Sequence, residues 1–150
     1  MSEPVNVLVV DDDEVDQMAI RRAFARQKIA NPLYAARDGI EALDVLRGKN
    51  GHAPLPRPYI VLLDLKMPRM TGLEFLDELR RDPRHRHAIV FMLTTSSDDR
   101  DMLRAYDHHI AGYIVKSNVS KEFIEVINLL DCYWRIVEIP DVEAAKCLSA

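Results

Sequence analysis

Short apolar runs, separated by segments with helical spacing, constrain the fold of this 150-residue chain more than any other feature. Four of the runs lie at Val5–Val10, Tyr59–Leu63, Ile89–Leu93 and Gly112–Val115. Strands that alternate with helices predict a parallel sheet covered by helices on both faces. The runs are apolar at nearly every position, which is typical of strands that are buried on both faces.

Each of these four runs ends in side chains suited to phosphate chemistry. The acids Asp11–Asp13 follow the first run, Asp64 follows the second, Thr94 the third and Lys116 the fourth. Ligands of open α/β sheets bind beyond the carboxyl ends of the strands. The sequence therefore predicts one site that combines carboxylates, a hydroxyl group and an ammonium group.

The whole chain divides into five predicted strand–helix units. The predicted strands are Val5–Val10, Leu33–Ala36, Tyr59–Leu63, Ala88–Leu93 and Ala111–Val115. The residues Val15, Met18, Ala19, Arg22 and Phe24 indicate a first helix of mixed face. Apolar stripes are predicted on the second helix at Ile40, Leu43, Val45 and Leu46, and on the third at Leu73, Phe75, Leu76 and Leu79. Ser97 and Ser120 are the predicted N-caps of the last two helices.

Composition and charge exclude several classes of protein. With 48% apolar residues the chain has enough hydrophobic material for one domain with a proper core. A net charge of −4 gives no electrostatic reason to expect a nucleic-acid or membrane partner. Cys132 and Cys147 lie apart without a CxxC pattern, and the amino terminus lacks the pattern of a signal peptide. We therefore expect a cytoplasmic protein.

The remaining basic residues and histidines carry no predicted role. The loose cluster Arg80-Arg81, Arg84 and Arg86 is expected on a solvated helix end and loop. The histidines His85, His87, His108 and His109 are expected to be exposed and are assigned no metal.

The three converging carboxylates predict a cation. Asp11, Asp12 and Asp64 would repel one another in one place unless a cation neutralised them, and Mg²⁺ is the natural choice because it prefers oxygen ligands and phosphate. Lys116 would then pair with a phosphoryl oxygen, and Thr94 would donate a hydrogen bond to another. Under these conditions a carboxylate oxygen of Asp64 can attack phosphorus.

At these residues the chain resembles the receiver domains of two-component response regulators. The matches are the pair Asp11-Asp12, the signature Asp64-Leu65-Lys66-Met67-Pro68, Thr94, Lys116, Gly72 and Asp38-Gly39. The resemblance runs from residue 5 to about residue 130. It implies a single doubly wound α/β domain of the flavodoxin-like (βα)5 type, with a five-stranded parallel sheet in the order 2-1-3-4-5, followed by a carboxyl-terminal extension at 131–150.

The resemblance also implies the roles of individual residues. Asp64 would accept a phosphoryl group from a sensor histidine kinase. Asp12 would bind Mg²⁺ directly, Asp11 directly or through water, and the Lys66 carbonyl would be a third protein ligand. Thr94 and Tyr113 would form the coupled switch pair. A protein of this kind catalyses only its own phosphorylation and hydrolysis and acts on no outside substrate, and no DNA-binding motif follows the domain.

Three further segments resemble the stand-alone regulators that partner bacterial phytochromes. They are the proline-bearing loop Lys49–Pro58, the run Leu93–Ser97 and the ending Tyr133–Pro140. One residue departs from the receiver pattern, because Ser117 follows Lys116 where receivers usually carry a proline joined by a cis bond. A cis bond without proline costs about 3 kcal/mol, so we expect a trans bond and an altered loop at this point.

Apolar residues continue from the last helix into the tail that follows it, and they predict a homodimer built on the fourth and fifth helices and this tail. A contiguous exposed apolar surface marks a partner site, and a second copy of the chain is the simplest partner. The alternative is that this tail folds back on its own domain. The residues predicted at the dimer contact are Tyr133, Trp134, Ile136, Val137 and Ile139.

Two other functions compete with the response regulator. The run Asp11–Val15 matches the Asp-x-Asp-x-(Thr/Val) motif of haloacid-dehalogenase-type phosphatases, which would use Asp11 and Asp13. Phosphatases of that class have a further acid pair on a strand after the lysine, whereas one helix and a tail are predicted here after Lys116. A phosphatase would also leave the segment Asp64–Pro68 unexplained. An interaction module without phosphorylation is the third possibility, and only Ser117 favours it.

Overall fold

Strands and helices alternate through the part of the chain that the computed structural model describes, residues 5–95, 98–115, 128 and 131–133. The predicted strands agree with the observed ones to within one residue at each end. In chain order the elements are β1 (Asn6–Val10), α1 (Glu14–Arg26), β2 (Leu33–Ala36), α2 (Gly39–Arg47), β3 (Tyr59–Leu63), α3 (Gly72–Arg81), β4 (Ile89–Thr94), α4 (Asp99–Asp107) and β5 (Gly112–Val115).

The five strands form one parallel sheet in the order β2-β1-β3-β4-β5, which confirms the predicted flavodoxin-like fold. The register aligns the carboxyl ends of the strands. Val10 lies beside Ala36 on one side and Leu63 on the other, and Thr94 lies beside Val115. Residues that follow β1 and β3 therefore emerge at the same point of one sheet edge.

Both faces of the sheet are buried, which explains why the strands are apolar at consecutive positions. Alternate strand residues point to opposite faces. On one face Val61 packs in a cluster with Phe75 of α3, and on the other Ile60 packs in a cluster with Phe24 of α1. Tyr133 is partly buried against this second cluster.

The helix faces predicted from apolar spacing are correct in part. In α1, Val15 and Met18 are 68% and 50% exposed, while Ile20, Ala23 and Phe24 form the buried face. This agrees with the mixed face predicted for the first helix, because α1 carries apolar residues on two sides and only one of them can pack on the sheet. In α2, the predicted Ile40 is 37% exposed, and Ala42 is buried.

Carboxylates begin three of the helices, and one predicted cap is wrong. The side chains of Asp13 and Asp38 accept backbone hydrogen bonds at the starts of α1 and α2. The N-cap of α4 is Asp98, whose side chain accepts from the Arg100 amide, and not Ser97. Aspartate and serine are comparable caps, so the sequence alone could not choose between neighbours. Ser97 and the predicted cap Ser120 both lie outside the described residues.

Arg80 is half-buried and holds two connections together, contrary to the predicted solvated cluster. Its guanidinium group donates hydrogen bonds to four backbone carbonyls, two in the α3–β4 connection and two after α4. The acceptors are the carbonyls of Arg86 (2.9 Å), Ala88 (2.8 Å), His108 (2.6 Å) and His109 (3.0 Å). Burial lowers the pKa of Arg80. The carboxyl end of α3 is thereby tied to the entrances of β4 and β5.

We expect the substitution Arg80→Met to lower the free energy of unfolding by about 2 kcal/mol, because it keeps the aliphatic stem and removes the donors of four carbonyls. Urea unfolding followed by circular dichroism measures this loss. The matched control is Arg81→Met. Arg81 is 73% exposed and pairs with Asp77 one turn earlier, so its removal should cost less than about 0.5 kcal/mol. Equal losses in the two variants would contradict the role given to Arg80.

His85 is buried, with 7% exposure, so the prediction that it is solvent-exposed was wrong. The Tyr59 hydroxyl oxygen lies 2.8 Å from Nδ1 of His85, and a guanidinium nitrogen of Arg57 lies 3.4 Å from the same atom. Burial lowers the pKa of His85 and raises the pKa of Tyr59 to about 12. The proline-bearing loop before β3 supplies Arg57 and so covers His85, which its sequence position did not reveal.

This burial makes stability depend on pH. Because the pKa of folded His85 lies below its ordinary value of 6.5, the unfolded chain binds the proton first as the pH falls. The free energy of unfolding should therefore decrease from pH 6.5 downwards, by at most about 1.4 kcal/mol per pH unit for one group. Urea unfolding at a series of pH values should show a shallower dependence in His85→Gln. An unchanged dependence in that variant would contradict this prediction.

Candidate functional site

Three carboxylates meet at the carboxyl edge of the sheet. One oxygen from each of Asp11, Asp12 and Asp64 lies within 4.8 Å of the others. Asp11 and Asp12 follow β1 and Asp64 follows β3, and these strands are neighbours in the sheet. Asp11 is buried, Asp64 is half-buried and Asp12 is exposed. The cluster is thus open to solvent on the side of Asp12.

Hydrogen bonds at the start of α1 fix the position of Asp11. Its carboxylate accepts from the Asp13 amide at 2.9 Å, and the Asp13 carboxylate in turn accepts from the Val15 amide at 2.8 Å. The side-chain amide of Gln17 lies within hydrogen-bonding distance of the Val9, Asp11 and Ala36 carbonyls, at 3.1 to 3.2 Å. Gln17 therefore fastens α1 to the ends of β1 and β2. No sequence pattern indicates this role, because one glutamine in a helix is ordinary.

The backbone around Asp64 is fixed by the first residue of α3. The Leu65 amide donates to the Asp64 carboxylate at 2.8 Å, and the Gly72 amide donates to the Leu65 carbonyl at 2.8 Å. A Cβ at Gly72 would press on the Asp64 carbonyl oxygen and would lie 2.9 Å from the Leu65 Cα. Only glycine lets α3 approach Asp64 this closely.

An ion pair joins the β2–α2 and β3–α3 connections. The buried Asp38 carboxylate accepts from Arg69 at 2.6 Å and from the Glu41 amide at 2.9 Å. Burial by itself would raise the pKa of Asp38, but these hydrogen bonds and the Arg69 charge outweigh it and hold the pKa below 3.8. Asp38 therefore caps α2 and holds Arg69 of the loop after β3. It is not one of the three clustered carboxylates.

Three other predicted site residues, Thr94, Lys66 and Tyr113, lie at or near the same edge. Thr94 ends β4 and is 1% exposed, and Lys66 is exposed in the connection after β3. Tyr113 of β5 is half-buried and lies beside Met92 in the sheet. The predicted Lys116 and the loop at Ser117 lie outside the described residues.

Of the predicted dimer residues, the structure describes Tyr133. Its ring meets the Phe91 ring edge-on, with the centroids 5.0 Å apart. Tyr133 therefore covers part of its own sheet. The other four predicted contacts, Trp134, Ile136, Val137 and Ile139, lie outside the described residues.

The oxygen-only donor set fits a hard divalent cation, because three clustered carboxylates are costly without positive charge and Mg²⁺-type ions prefer oxygen. A parallel α/β sheet that gathers carboxylates at its carboxyl edge defines a domain suited to a divalent cation and a phosphoryl group. Among the described helices none is long and apolar enough to cross a bilayer.

The chain belongs to the response regulator receiver domain family, whose model matches residues 7–128. The probable methanogenesis regulatory protein FilR2 of Methanothrix harundinacea (strain 6Ac) is 37% identical over 133 residues, which is 88% of this chain and 84% of FilR2. The receiver family accounts for the segment Asp64–Pro68. It leaves Asp13 as the cap of α1, which removes the basis of the phosphatase alternative.

Two solved structures of response regulators, one of them described as a phytochrome response regulator, are similar to this chain, which confirms the predicted resemblance. The phosphorylated cyanobacterial phytochrome response regulator RcpA has a TM-score of 0.84 at 30% identity and covers 93% of this chain and 100% of its own. The Mn²⁺-bound response regulator Rcp1 has a TM-score of 0.82 at 28% identity and covers 92% of this chain and 100% of its own. Rcp1 is from Synechocystis sp. (strain ATCC 27184 / PCC 6803 / Kazusa).

Proposed function

We propose that Asp64 accepts a phosphoryl group from a sensor histidine kinase. The observation that carries the proposal is the meeting of the Asp11, Asp12 and Asp64 carboxylates at one edge of the sheet. A carboxylate oxygen of Asp64 forms the new bond to phosphorus as the phosphorus–nitrogen bond of the donor breaks. Thr94 donates a hydrogen bond to a phosphoryl oxygen, and Lys116 pairs with another.

The metal in this proposal is Mg²⁺, held by the carboxylates of Asp11, Asp12 and Asp64 and by the Lys66 carbonyl. When bound, it supplies positive charge that offsets the charge of the carboxylates and of the phosphoryl oxygens. The hydrogen bond from the Asp13 amide orients Asp11, and the contact with Gly72 fixes the backbone of Asp64. The Mn²⁺-bound Rcp1 structure supports a divalent ion at such a site.

The phosphorylation itself is tested by intact-mass measurement of the full chain. Incubation with Mg²⁺ and phosphoramidate should add one phosphoryl group, and excess EDTA should prevent the addition. A labile product is expected because acyl phosphates hydrolyse. If the chain gained no mass with Mg²⁺, the proposal would fail, and the interaction module without phosphorylation would replace it.

We further propose Thr94 and Tyr113 as the pair that reads the phosphorylated state. Thr94 ends β4 and lies beside Val115, while Tyr113 lies beside Met92 on the neighbouring strand. Met92 and Tyr113 pack in the cluster on the face of the sheet that α2 and α3 cover. Thr94 lies two residues after Met92 in β4 and therefore belongs to the same face. Because the two residues are close on one face, a movement of the Thr94 hydroxyl towards the phosphoryl group would change the space that is available to the Tyr113 ring.

The kinase partner that we propose is a bacterial phytochrome in the cytoplasm. The similarity to RcpA, which is described as a phytochrome response regulator, supports this partner. The proposed chemistry is confined to phosphorylation and hydrolysis of the chain itself. The output would be contact with other proteins, without binding to nucleic acid or membrane.

We also propose that the receiver domain, residues 5–130, forms a homodimer to which the extension 131–150 contributes. Three exposed apolar side chains lie on α4 and β5, at Leu103 (66% exposed), Tyr106 (47%) and Val115 (37%). Together with Trp134, Ile136, Val137 and Ile139 they would supply an apolar contact surface.

The oligomeric state of a shortened chain tests this dimer. A chain that ends after Tyr133 keeps the contact with Phe91 and loses the apolar residues beyond it. We expect analytical ultracentrifugation to show a dimer for the full chain and a monomer for the shortened chain. A shortened chain that stays dimeric would contradict the role of the extension. The variant Leu103→Asp, with the extension intact, tests the α4 contribution separately.

A further inference from the structure

A cavity of about 370 Å³ opens at the amino end of the sheet, away from the carboxylate cluster. The α2–β3 connection forms one wall, and the start of the α3–β4 connection forms the other. Its volume lies within the range of about 300 to 1,000 Å³ that is usual for small-molecule sites. The receiver chemistry at Asp64 makes no use of this cavity.

The cavity concentrates positive charge in a chain whose net charge is −4. Four cationic side chains line it, Arg47, Lys49, Arg57 and Arg84, against one carboxylate, Asp82. Asp82 is already engaged, because it accepts from Arg47 at 3.0 Å and from the Arg84 amide at 2.9 Å. An excess of cations around one concave surface attracts an anion.

One of these cations is held firmly in place. A guanidinium nitrogen of Arg57 lies 2.5 Å from the Arg84 carbonyl oxygen, and the guanidinium carbon lies 5.5 Å from the centre of the Tyr59 ring. His85, which also lines the cavity, stays neutral at pH 7 because burial lowers its pKa. The charge of Arg57 is therefore pre-positioned, which reduces the entropy cost of binding an anion.

The lining also includes an apolar part. Leu46 and Leu55 are buried, and Pro54 adds a third apolar side chain. A fully hydrated inorganic ion would leave these side chains without a partner. An anion that carries a flat apolar group would instead place the group on this part of the lining and its charge among the cations.

We propose that this cavity binds a small phosphate monoester with an apolar or aromatic group. The phosphate would be held by Lys49, Arg57 and Arg84, and the ester group would contact Leu46, Pro54 and Leu55. This site is separate from the carboxylate cluster, and the proposal holds whether or not Asp64 is phosphorylated.

Titration of the ¹⁵N-labelled full chain with phenyl phosphate, followed by NMR, tests the proposal. EDTA is present so that the carboxylate cluster is not loaded with metal. Saturable shifts are expected at amides between Arg47 and Arg57 and between Asp82 and His85. Inorganic phosphate and phenol, which each carry half of the ligand chemistry, should both bind more weakly than phenyl phosphate.

Charge variants show whether the cations hold the ligand. Lys49→Gln and Arg84→Gln should each weaken binding about fivefold, because each removes one solvent-exposed charge from the phosphate. Arg22→Gln, which removes an exposed charge from α1 on the other face of the sheet, should leave binding unchanged. Shifts confined to the region of Asp64, equal binding of phosphate and phenyl phosphate, or equal weakening by Arg22→Gln would each overturn the proposal.

Discussion

Asp64→Asn should eliminate the gain of a phosphoryl group on incubation with Mg²⁺ and phosphoramidate. An asparagine side chain has nearly the same shape, and its oxygen can still accept the Leu65 amide that the Asp64 carboxylate accepts at 2.8 Å. It carries no negative oxygen that can attack phosphorus. The fold should therefore persist while the chemistry disappears. Intact-mass measurement checks the phosphorylation, and circular dichroism checks the fold.

The matched control is Asp13→Asn, two residues from Asp11 at the same sheet edge. The Asp13 carboxylate caps α1 by accepting from the Val15 amide at 2.8 Å, and asparagine is an equally good cap. We expect this variant to be phosphorylated like the unmodified chain. Phosphorylation that persisted in Asp64→Asn and disappeared in Asp11→Asn would contradict the assignment of Asp64 and revive the phosphatase mechanism.

Gly72→Ala should destabilise the protein by about 3 kcal/mol, although alanine is normally the better helix residue by about 1 kcal/mol. The added Cβ would press on the Asp64 carbonyl oxygen and would lie 2.9 Å from the Leu65 Cα. Backbone atoms cannot move aside as a flexible side chain can, so α3 has to shift away from Asp64. Urea unfolding measures the loss, and the mass assay should show slower phosphorylation.

Gly39→Ala is the comparison for this substitution. A Cβ at Gly39 would lie 2.8 Å from the Cγ and Sδ atoms of Met70, whose flexible side chain can move away, and 3.0 Å from the Cβ of Phe75. We expect a loss of less than about 1 kcal/mol. If Gly72→Ala were as mild as Gly39→Ala, the close contact of α3 with Asp64 would not be a constraint on the fold.

The sequence predicted the sheet and its acidic edge well because both depend on local signals that survive folding. An apolar run such as Tyr59–Leu63 has few alternatives to a buried strand, and parallel strands bring their carboxyl ends to one edge. The meeting of Asp11 and Asp64 follows from that topology. Capping is also local, and the acid Asp13 caps the helix that directly follows it.

The sequence predicted poorly the residues whose roles depend on contacts across the chain. Arg80 and His85 lie in a polar stretch that looks solvated, but Arg80 donates to carbonyls as far along the chain as His109. His85 meets Tyr59, 26 residues away. The exposed Ile40 shows the reverse error, since an apolar residue on a helix has no local mark that tells the core face from the solvent face. These roles depend on packing between elements, which spacing along the chain does not encode.

Helix α3 is anchored at both ends. At Gly72 its first turn touches the backbone of Asp64 and Leu65, and at Arg80 its last turn holds the carbonyls of His108 and His109. A helix of this length spans about 15 Å and is stiff along its axis. One rigid helix therefore connects the acidic edge of the sheet to the entrance of β5. A displacement of either region along the helix axis would displace the other.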